Sequence, residues 1–389
     1  MTVIRHILVF VMFLSSVFLA EGRDSLSVSR IRHDLTVAAS GGYNLPSHGY
    51  YRGYNPLGRP IPANTSVHLE YSFGFTPDTN IGALYQNVTQ GVGVAGCTFY
   101  NHELMGTPIV AYVFQRAELL RISPETGIDY SWQLGGSYGW KKSELIASRA
   151  NIYVNVGLRF RWDFSPLWTM DFGPEFSHCS NGDTRYPNGG ANLINLRLGL
   201  TGHITSYEAR NSREKVREYE SQLKEQSFAD RMVYDVILYG GWRAGKTKSE
   251  VYAIINEPFP FFGLNFMPMY RLDRHFLVGA SIDLLADRSS NISNVVLNED
   301  REVLDYDLPP LYRQMAAGVT LRFDIQMPIF TVGAGVGGFV LGDGHNLEGI
   351  YTVFNLKTFL TDRLFLNIGY RLSAKNYTHN MTYGCGWRF

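Results

Sequence analysis

Apolar and polar residues alternate strictly along much of this chain. Ile152, Val154, Val156, Leu158, Phe160 and Trp162 oppose Tyr153, Asn155, Gly157, Arg159 and Arg161, while Leu364, Leu366, Ile368, Tyr370 and Leu372 oppose Asn367, Gly369 and Arg371. A period of two sends successive side chains to opposite faces, so each run predicts a strand with one apolar and one polar face. The pattern recurs where Trp168, Met170, Phe172, Pro174 and Phe176 oppose Thr169, Asp171, Gly173, Glu175 and Ser177. It recurs again where Ile194, Leu196, Leu198 and Leu200 oppose Asn195, Arg197, Gly199 and Thr201. A soluble sandwich would turn the apolar faces inward, whereas a membrane barrel turns them outward and pairs the charges inside. Alternation alone leaves both open.

The two ends of the chain favour the barrel. Residues 1–22 read as a secretory signal, with Arg5 and His6 before an apolar run from Ile7 to Leu19 and small residues at Ala20 and Gly22. At the other end Met381, Tyr383, Cys385, Trp387 and Phe389 alternate with Thr382, Gly384, Gly386 and Arg388, and this terminal aromatic strand resembles the closing strand of bacterial outer-membrane barrels. No later apolar run reaches the length of a membrane helix, so membrane residence would be by strands. Aromatics at 14% and 39 glycines suit many strands with tight turns. The 35 basic and 35 acidic residues cancel, which argues against a nucleic-acid partner. Cys97, Cys179 and Cys385 suggest neither a disulfide framework nor a metal cluster.

The expected fold class is all-β, an antiparallel transmembrane β-barrel of roughly 14–16 strands spanning residues 23–389. Stretches 77–80, 123–126, 163–166, 272–274 and 361–363 read as short periplasmic turns, and 46–64, 141–150, 179–190, 288–309 and 342–346 as longer outer loops. Residues 23–205 carry the candidate site, 206–231 form a charged, helix-prone periplasmic segment, and 232–389 supply the remaining strands. One barrel is the first reading. Two tandem barrels of about eight strands each, joined by the charged segment, are the alternative.

Residues 174–192 concentrate the chemistry. His178 and Ser180 are two apart and continue the apolar phase of their strand, while Cys179 points the other way; Asn192 shares the phase of Ile194 to Leu200 on the next strand. An ester hydrolase needs a nucleophile, a base, a group that holds the base, and oxyanion donors. Ser180 would attack, His178 would act as base, Asn192 would orient the ring, and Asn181 with the backbone N–H of Asn181 or Gly182 would face the oxyanion. Against this stands the plain reading of a polar outer loop closed by Asn192. Arg159, Arg161, Asp171, Glu175 and Arg197 share the opposite, interior face, where an ion-pair network is expected. His48, His345 and His379 read as solvated loop histidines, and Glu299, Asp300, Glu302, Asp305 and Asp307 as a solvated acidic loop.

His178, Ser180 and Asn181, followed by Pro187, Asn188, Gly190 and a polar residue at 192, resemble the active-site segment of PagL-type lipid A 3-O-deacylases, also called acyloxyacyl hydrolases. The resemblance implies an outer-membrane barrel of a Gram-negative bacterium that hydrolyses an ester-linked acyl chain of lipid A toward the outer leaflet, without a metal or cofactor. The family carries Glu where Asn192 stands here. That His, Ser, Asn set resembles outer-membrane phospholipase A, which would imply a phospholipid substrate and calcium, with Asp183 and Asn188 as the ligands at hand. A non-catalytic channel or surface-binding barrel is the third reading, and it expects an open lumen. The lipid A reading ranks first because of the Pro187 to Gly190 approach to position 192, and it admits a homodimer.

Overall fold

The structure is a computed structural model describing residues 31–389 apart from 78, 206–212, 248–252, 300–301, 343, 345–346 and 374–378. The signal segment 1–22, His345 and Asp300 lie outside the described residues. The first sheet runs β1 (Ile31–Asn44), β2 (Ala63–Phe75), β3 (Val88–Thr98), β4 (Gly106–Arg121), β5 (Thr126–Trp140), β6 (Ala150–Ser165), β7 (Trp168–Ser180) and β8 (Ala191–His203). A helix, α1 (Asn80–Leu84), interrupts the β2–β3 connection, which is longer than the short turn expected there, and α2 (His102–Met105) precedes β4. After α3 (Arg213–Glu225) come β9 (Met232–Thr247), β10 (Ala253–Arg271), β11 (Phe276–Asp287), β12 (Ser293–Leu297), β13 (Val303–Asp307), β14 (Met315–Gln326), β15 (Phe330–Gly342), β16 (Ile350–Phe359), β17 (Leu364–Ser373) and β18 (Asn380–Arg388).

There are two closed antiparallel barrels, not one. β1 to β8 close when β8 pairs back onto β1, from Asp34↔His203 to Asn44↔Leu193. The second barrel closes where β18 pairs with β9, from Tyr383↔Gly240 to Arg388↔Asp235. The single-barrel reading fails because alternation reports which way a side chain faces and says nothing about which distant strand completes the hydrogen bonding. The acidic stretch around Glu299 is also more ordered than a solvated loop: β12 and β13 form a separate two-stranded sheet, and Val295, Val303 and Tyr306 pack on Ile255, Phe259 and Ile292.

Face assignment follows the alternation. On β6, Val154, Val156 and Leu158 are exposed while Asn155 and Arg159 are buried; on β7, Phe172 and Phe176 are exposed while Asp171, Glu175 and Ser177 are buried. Apolar exteriors with polar interiors are the membrane-barrel arrangement. Eight strands leave a bore that side chains can fill. In the first barrel Arg197 Nη2 donates to Glu70 Oε2 at 2.7 Å, Tyr112 OH donates to Glu70 Oε1 at 2.9 Å, Arg159 pairs with Asp171 at 3.4 Å, and Ser40 donates to Glu175. In the second, Lys357 Nζ donates to Asp235 at 2.7 Å and to Asp324 at 2.6 Å, and Arg388 Nε donates to Asp235 at 2.7 Å. Phe261, Met267, Met269, Leu277 and Phe365 pack as an apolar layer of the same barrel. A lumen cavity there, lined by Tyr239, Asp283, Arg322 and Tyr351, measures about 40 Å³, room for water and not for a channel.

By compactness the chain divides in two, and the second unit holds Trp140–Ile152 and Cys179–Gly190 together with the strands from β9 onward. The face assignment predicts a depth-dependent penalty for charge on the outer surface. Val156→Arg, at the middle of β6, should lower folding stability by about 2–4 kcal/mol, and Ala150→Arg, at its end, by about 0–1 kcal/mol. Urea titrations of refolding into lipid vesicles check this, and equal penalties at the two positions would reject the assigned faces.

Candidate functional site

The last residues of β7 and the first of β8 bring the sequence candidates together. β7 stays extended through Ser180, so His178 and Ser180 leave its outer face while Cys179 is buried in phase with Glu175 and Ser177. Asn192 stands on the matching phase of β8, the neighbour of β7 in the sheet. His178 Nδ1 and Asn192 Oδ1 are 2.7 Å apart. An amide oxygen only accepts, so His178 Nδ1 is the donor in this contact.

A residue the sequence reading missed sets the orientation of that amide. Asn192 Nδ2 donates to Ser47 Oγ at 3.2 Å, which turns Oδ1 toward the imidazole. Ser47 follows β1, and the Leu45 N–H donates to the Asn192 carbonyl at 2.8 Å. Nothing near Ser47 in the chain marks it, because its proximity to Asn192 exists only once β8 closes on β1.

The loop after Ser180 departs from the expected oxyanion arrangement. The Asn181 N–H donates to Asn188 Oδ1 at 3.0 Å, and Asn181 Nδ2 donates to the Arg185 carbonyl at 2.8 Å. The Asn181 backbone N–H and one of its two side-chain N–H groups are therefore engaged inside their own loop, where Asn181 is buried. Gly182 and Asp183 follow in left-handed backbone, at φ 64° and 65°. A Cβ on Gly182 would come within 2.5 Å of Met381 and 2.9 Å of Ile152, so glycine is required by both conformation and space. Met381 belongs to the outward phase of β18 yet is buried, in keeping with that approach.

The rest of the loop is tied down in the same way. Residues 141–150 and 179–190 hydrogen-bond to each other: the Ala147 N–H donates to the Pro187 carbonyl at 2.9 Å, and the Gly189 N–H to the Leu145 carbonyl at 2.7 Å. Asn188 Nδ2 donates to Asp183 Oδ1 at 2.9 Å, and Lys246 pairs with Asp183 Oδ2 at 3.2 Å. The two residues named as calcium ligands in the phospholipase reading thus spend these oxygens on the loop itself. His379 is half-buried and not a solvated loop residue; burial holds its imidazole below the ordinary range, Lys246 and Arg243 add to the lowering, and Asp183 opposes it. His48 is exposed and caps a 3-10 turn by accepting from the Tyr50 N–H. Arg159, Arg197, Asp171 and Glu175 stay in the first barrel's interior as expected, and their network includes Glu70, which the sequence reading did not name. Arg161 lies toward the short-turn end of β6 and pairs with Glu118 at 2.7 Å.

Residues 62–201, from β2 through most of β8, match the family model of lipid A 3-O-deacylase (PagL), and residues 232–389, the whole of the second barrel, match that of the acyloxyacyl hydrolase C-terminal domain. No curated protein matches the chain. Similar solved structures include the outer membrane protein Omp33 of Acinetobacter baumannii, at 9% identity over 93% of this chain and 99% of that one with a TM-score of 0.17. The siderophore receptor PirA of the same organism is similar at 8% identity over 93% of this chain and 74% of that one, with a TM-score of 0.23. With both barrels matched and each turning its apolar face outward, the chain belongs to the PagL family of lipid A 3-O-deacylases, hydrolases of the bacterial outer membrane.

Proposed function

We propose that this protein removes an ester-linked acyl chain from lipid A, with Ser180 as nucleophile, His178 as general base and then acid, and Asn192 as the group that holds the imidazole. The observation that carries the reading is the 2.7 Å contact of His178 Nδ1 with Asn192 Oδ1 at adjoining strand ends, on the face that Ser180 shares. His178 Nε2 takes the Ser180 proton as Oγ attacks the ester carbonyl. The tetrahedral oxyanion is met by the Gly182 N–H, since the Asn181 backbone N–H is engaged with Asn188. Collapse breaks the bond to the sugar oxygen, which leaves with the proton returned by His178. Water, deprotonated by the same imidazole, then releases the fatty acid and restores Ser180.

Two features support lipid A over phospholipid as substrate. The paired loops 141–150 and 179–190 expose Lys141, Lys142, Arg149 and Arg185, a concentration of positive charge suited to a phosphorylated disaccharide headgroup. The calcium ligands that the phospholipase reading requires are engaged elsewhere, as Asp183 is paired with Lys246 and Asn188 with Asn181. The amide at position 192 is what favours the phospholipase alternative.

Ser180→Ala and His178→Ala should each lower turnover by a factor on the order of 10⁴ or more while the barrels still assemble, because neither change touches a packed interior. The assay is fatty-acid release from lipid A by purified, folded protein, and Ser180→Ala with wild-type turnover would sink the assignment.

Asn192→Ala should reduce kcat by about 100-fold with little change in KM, since the ring loses its orientation and not its substrate. Ser47→Ala should act in the same direction and more weakly. A rise in KM alone would mean that Asn192 contacts substrate instead.

For the substrate, release from lipid A should proceed equally with calcium or chelator. Calcium-dependent release from phospholipid, with lipid A left intact, would transfer the assignment to the phospholipase alternative.

A further inference from the structure

The loop that follows Ser180 is fastened by residues of β9 and β10 that no requirement of barrel closure explains. β9 runs on to Thr247, whereas its pairing with β18 ends at Tyr383↔Gly240, so the upper edge of β9 is left with backbone groups to satisfy. The Ala244 N–H donates to the Asp183 carbonyl at 3.0 Å. Lys246 Nζ lies 3.2 Å from Asp183 Oδ2, with both side chains close to nine-tenths buried, and 4.9 Å from the centre of the Tyr186 ring. Asn256 brackets Tyr186 from both sides of its peptide unit: the Tyr186 N–H donates to Asn256 Oδ1 at 2.8 Å, and Asn256 Nδ2 donates to the Tyr186 carbonyl at 2.6 Å.

These bonds lead back to the reacting serine in three steps. Lys246 holds Asp183, Asp183 Oδ1 accepts from Asn188 Nδ2, and Asn188 Oδ1 accepts from the N–H of Asn181, the residue next to Ser180. Gly182 sits inside this chain of bonds, between Asn181 and Asp183. Its N–H serves an oxyanion only within about 2.7–3.1 Å, so whatever fixes Asn181 and Asp183 also fixes that donor. The bridge to residues 141–150 holds this loop at Pro187 to Gly189, while the two left-handed residues Gly182 and Asp183 lie outside that pairing and are reached from β9.

We propose that Lys246 and Asn256 are positioning residues for acylation of Ser180, and that this part of β9 and β10 serves as the brace for the oxyanion loop. Neither touches the ester; both act through Asp183 and Tyr186. The role rests on Ser180 being the nucleophile, and it gives the strands after residue 232 a part in the reaction beyond membrane anchorage.

The test uses the full chain, folded in detergent, with heat-modifiable gel mobility confirming assembly of each variant. Lys246→Met removes the charge and keeps the bulk, Lys246→Arg keeps the charge, and Asn256→Ala removes the bracket with no change of charge. The readouts are kcat and KM on lipid A and the rate at which a long-chain alkylsulfonyl fluoride modifies Ser180. Lys246→Met and Asn256→Ala should lower kcat and the sulfonylation rate on the order of 100-fold with KM unchanged, and Lys246→Arg should recover most of the loss. Folded Lys246→Met and Asn256→Ala with wild-type kcat and sulfonylation would overturn the brace, as would a change confined to KM. Ser180→Ala run in parallel separates the two ideas: turnover that survives it defeats the nucleophile assignment, whereas its loss alongside normal Lys246 and Asn256 variants defeats the brace alone.

Discussion

Backbone pairing of β8 with β1, and of β18 with β9, is the constraint on which the rest of the molecule depends. In a hydrocarbon environment an open sheet edge would leave rows of N–H and C=O groups without partners, at several kcal/mol each, so closure is obligatory. Closure at eight strands then sets a narrow bore. The polar phase of every strand must face into it, and the charges brought there must neutralise one another in a space without bulk water. Glu70 answers Arg197 and Tyr112; Lys357 answers Asp235 and Asp324. Breaking one partner of such a pair costs about 3–5 kcal/mol, far more than forming it contributes, which makes these networks determinants of register more than of net stability.

The same constraint bears on where the proposed chemistry would occur. The interior near the site is occupied by the ion-pair network of Glu70, Arg159, Glu175 and Arg197, and the mid-strand exterior is dominated by apolar side chains. What remains is the end of a strand, where the outer phase leaves the apolar zone and still retains the rigidity of the sheet. His178, Ser180 and Asn192 occupy that place on β7 and β8. These three side chains are positioned by strands, on the outer face of the sheet. Under the proposed function, such a barrel would act on a lipid without drawing it through the lumen.

Much of this was legible from the chain alone, and the illegible part has a common cause. Period-two alternation identified the lipid face of Val156 and Phe172, the interior face of Arg159 and Asp171, and the shared phase of His178 with Ser180, because each is a property of neighbouring residues. Closure depends on residues about 170 apart, such as Asp34 and His203 at opposite ends of the first sheet, and no local pattern encodes it. Ser47 was invisible for that reason: in a sixteen-strand barrel β8 would adjoin β9, and Ser47 would be nowhere near Asn192. The bonds of the oxyanion candidates were likewise not legible: residue type made Asn181 a fair candidate, and only the folded loop shows its backbone N–H bound to Asn188 and one side-chain N–H to Arg185.

Under the proposed mechanism, the amide at position 192 gives Ser47 a role. A carboxylate presents an oxygen to the imidazole whichever way it turns, and its charge would stabilise the imidazolium that the proposed proton transfer from Ser180 would form. An amide stabilises that cation less, and half of its orientations would aim an N–H donor at Nδ1 and force the wrong tautomer. The bond from Asn192 Nδ2 to Ser47 Oγ removes that ambiguity by occupying the donor end. In exchange, a neutral group at the lipid boundary avoids the desolvation penalty an ion would meet there, which for a buried charge amounts to several kcal/mol. The substitution thus shifts the demand from electrostatics to geometry, and the closure of β8 on β1 meets it by carrying Ser47 to the far end of the amide.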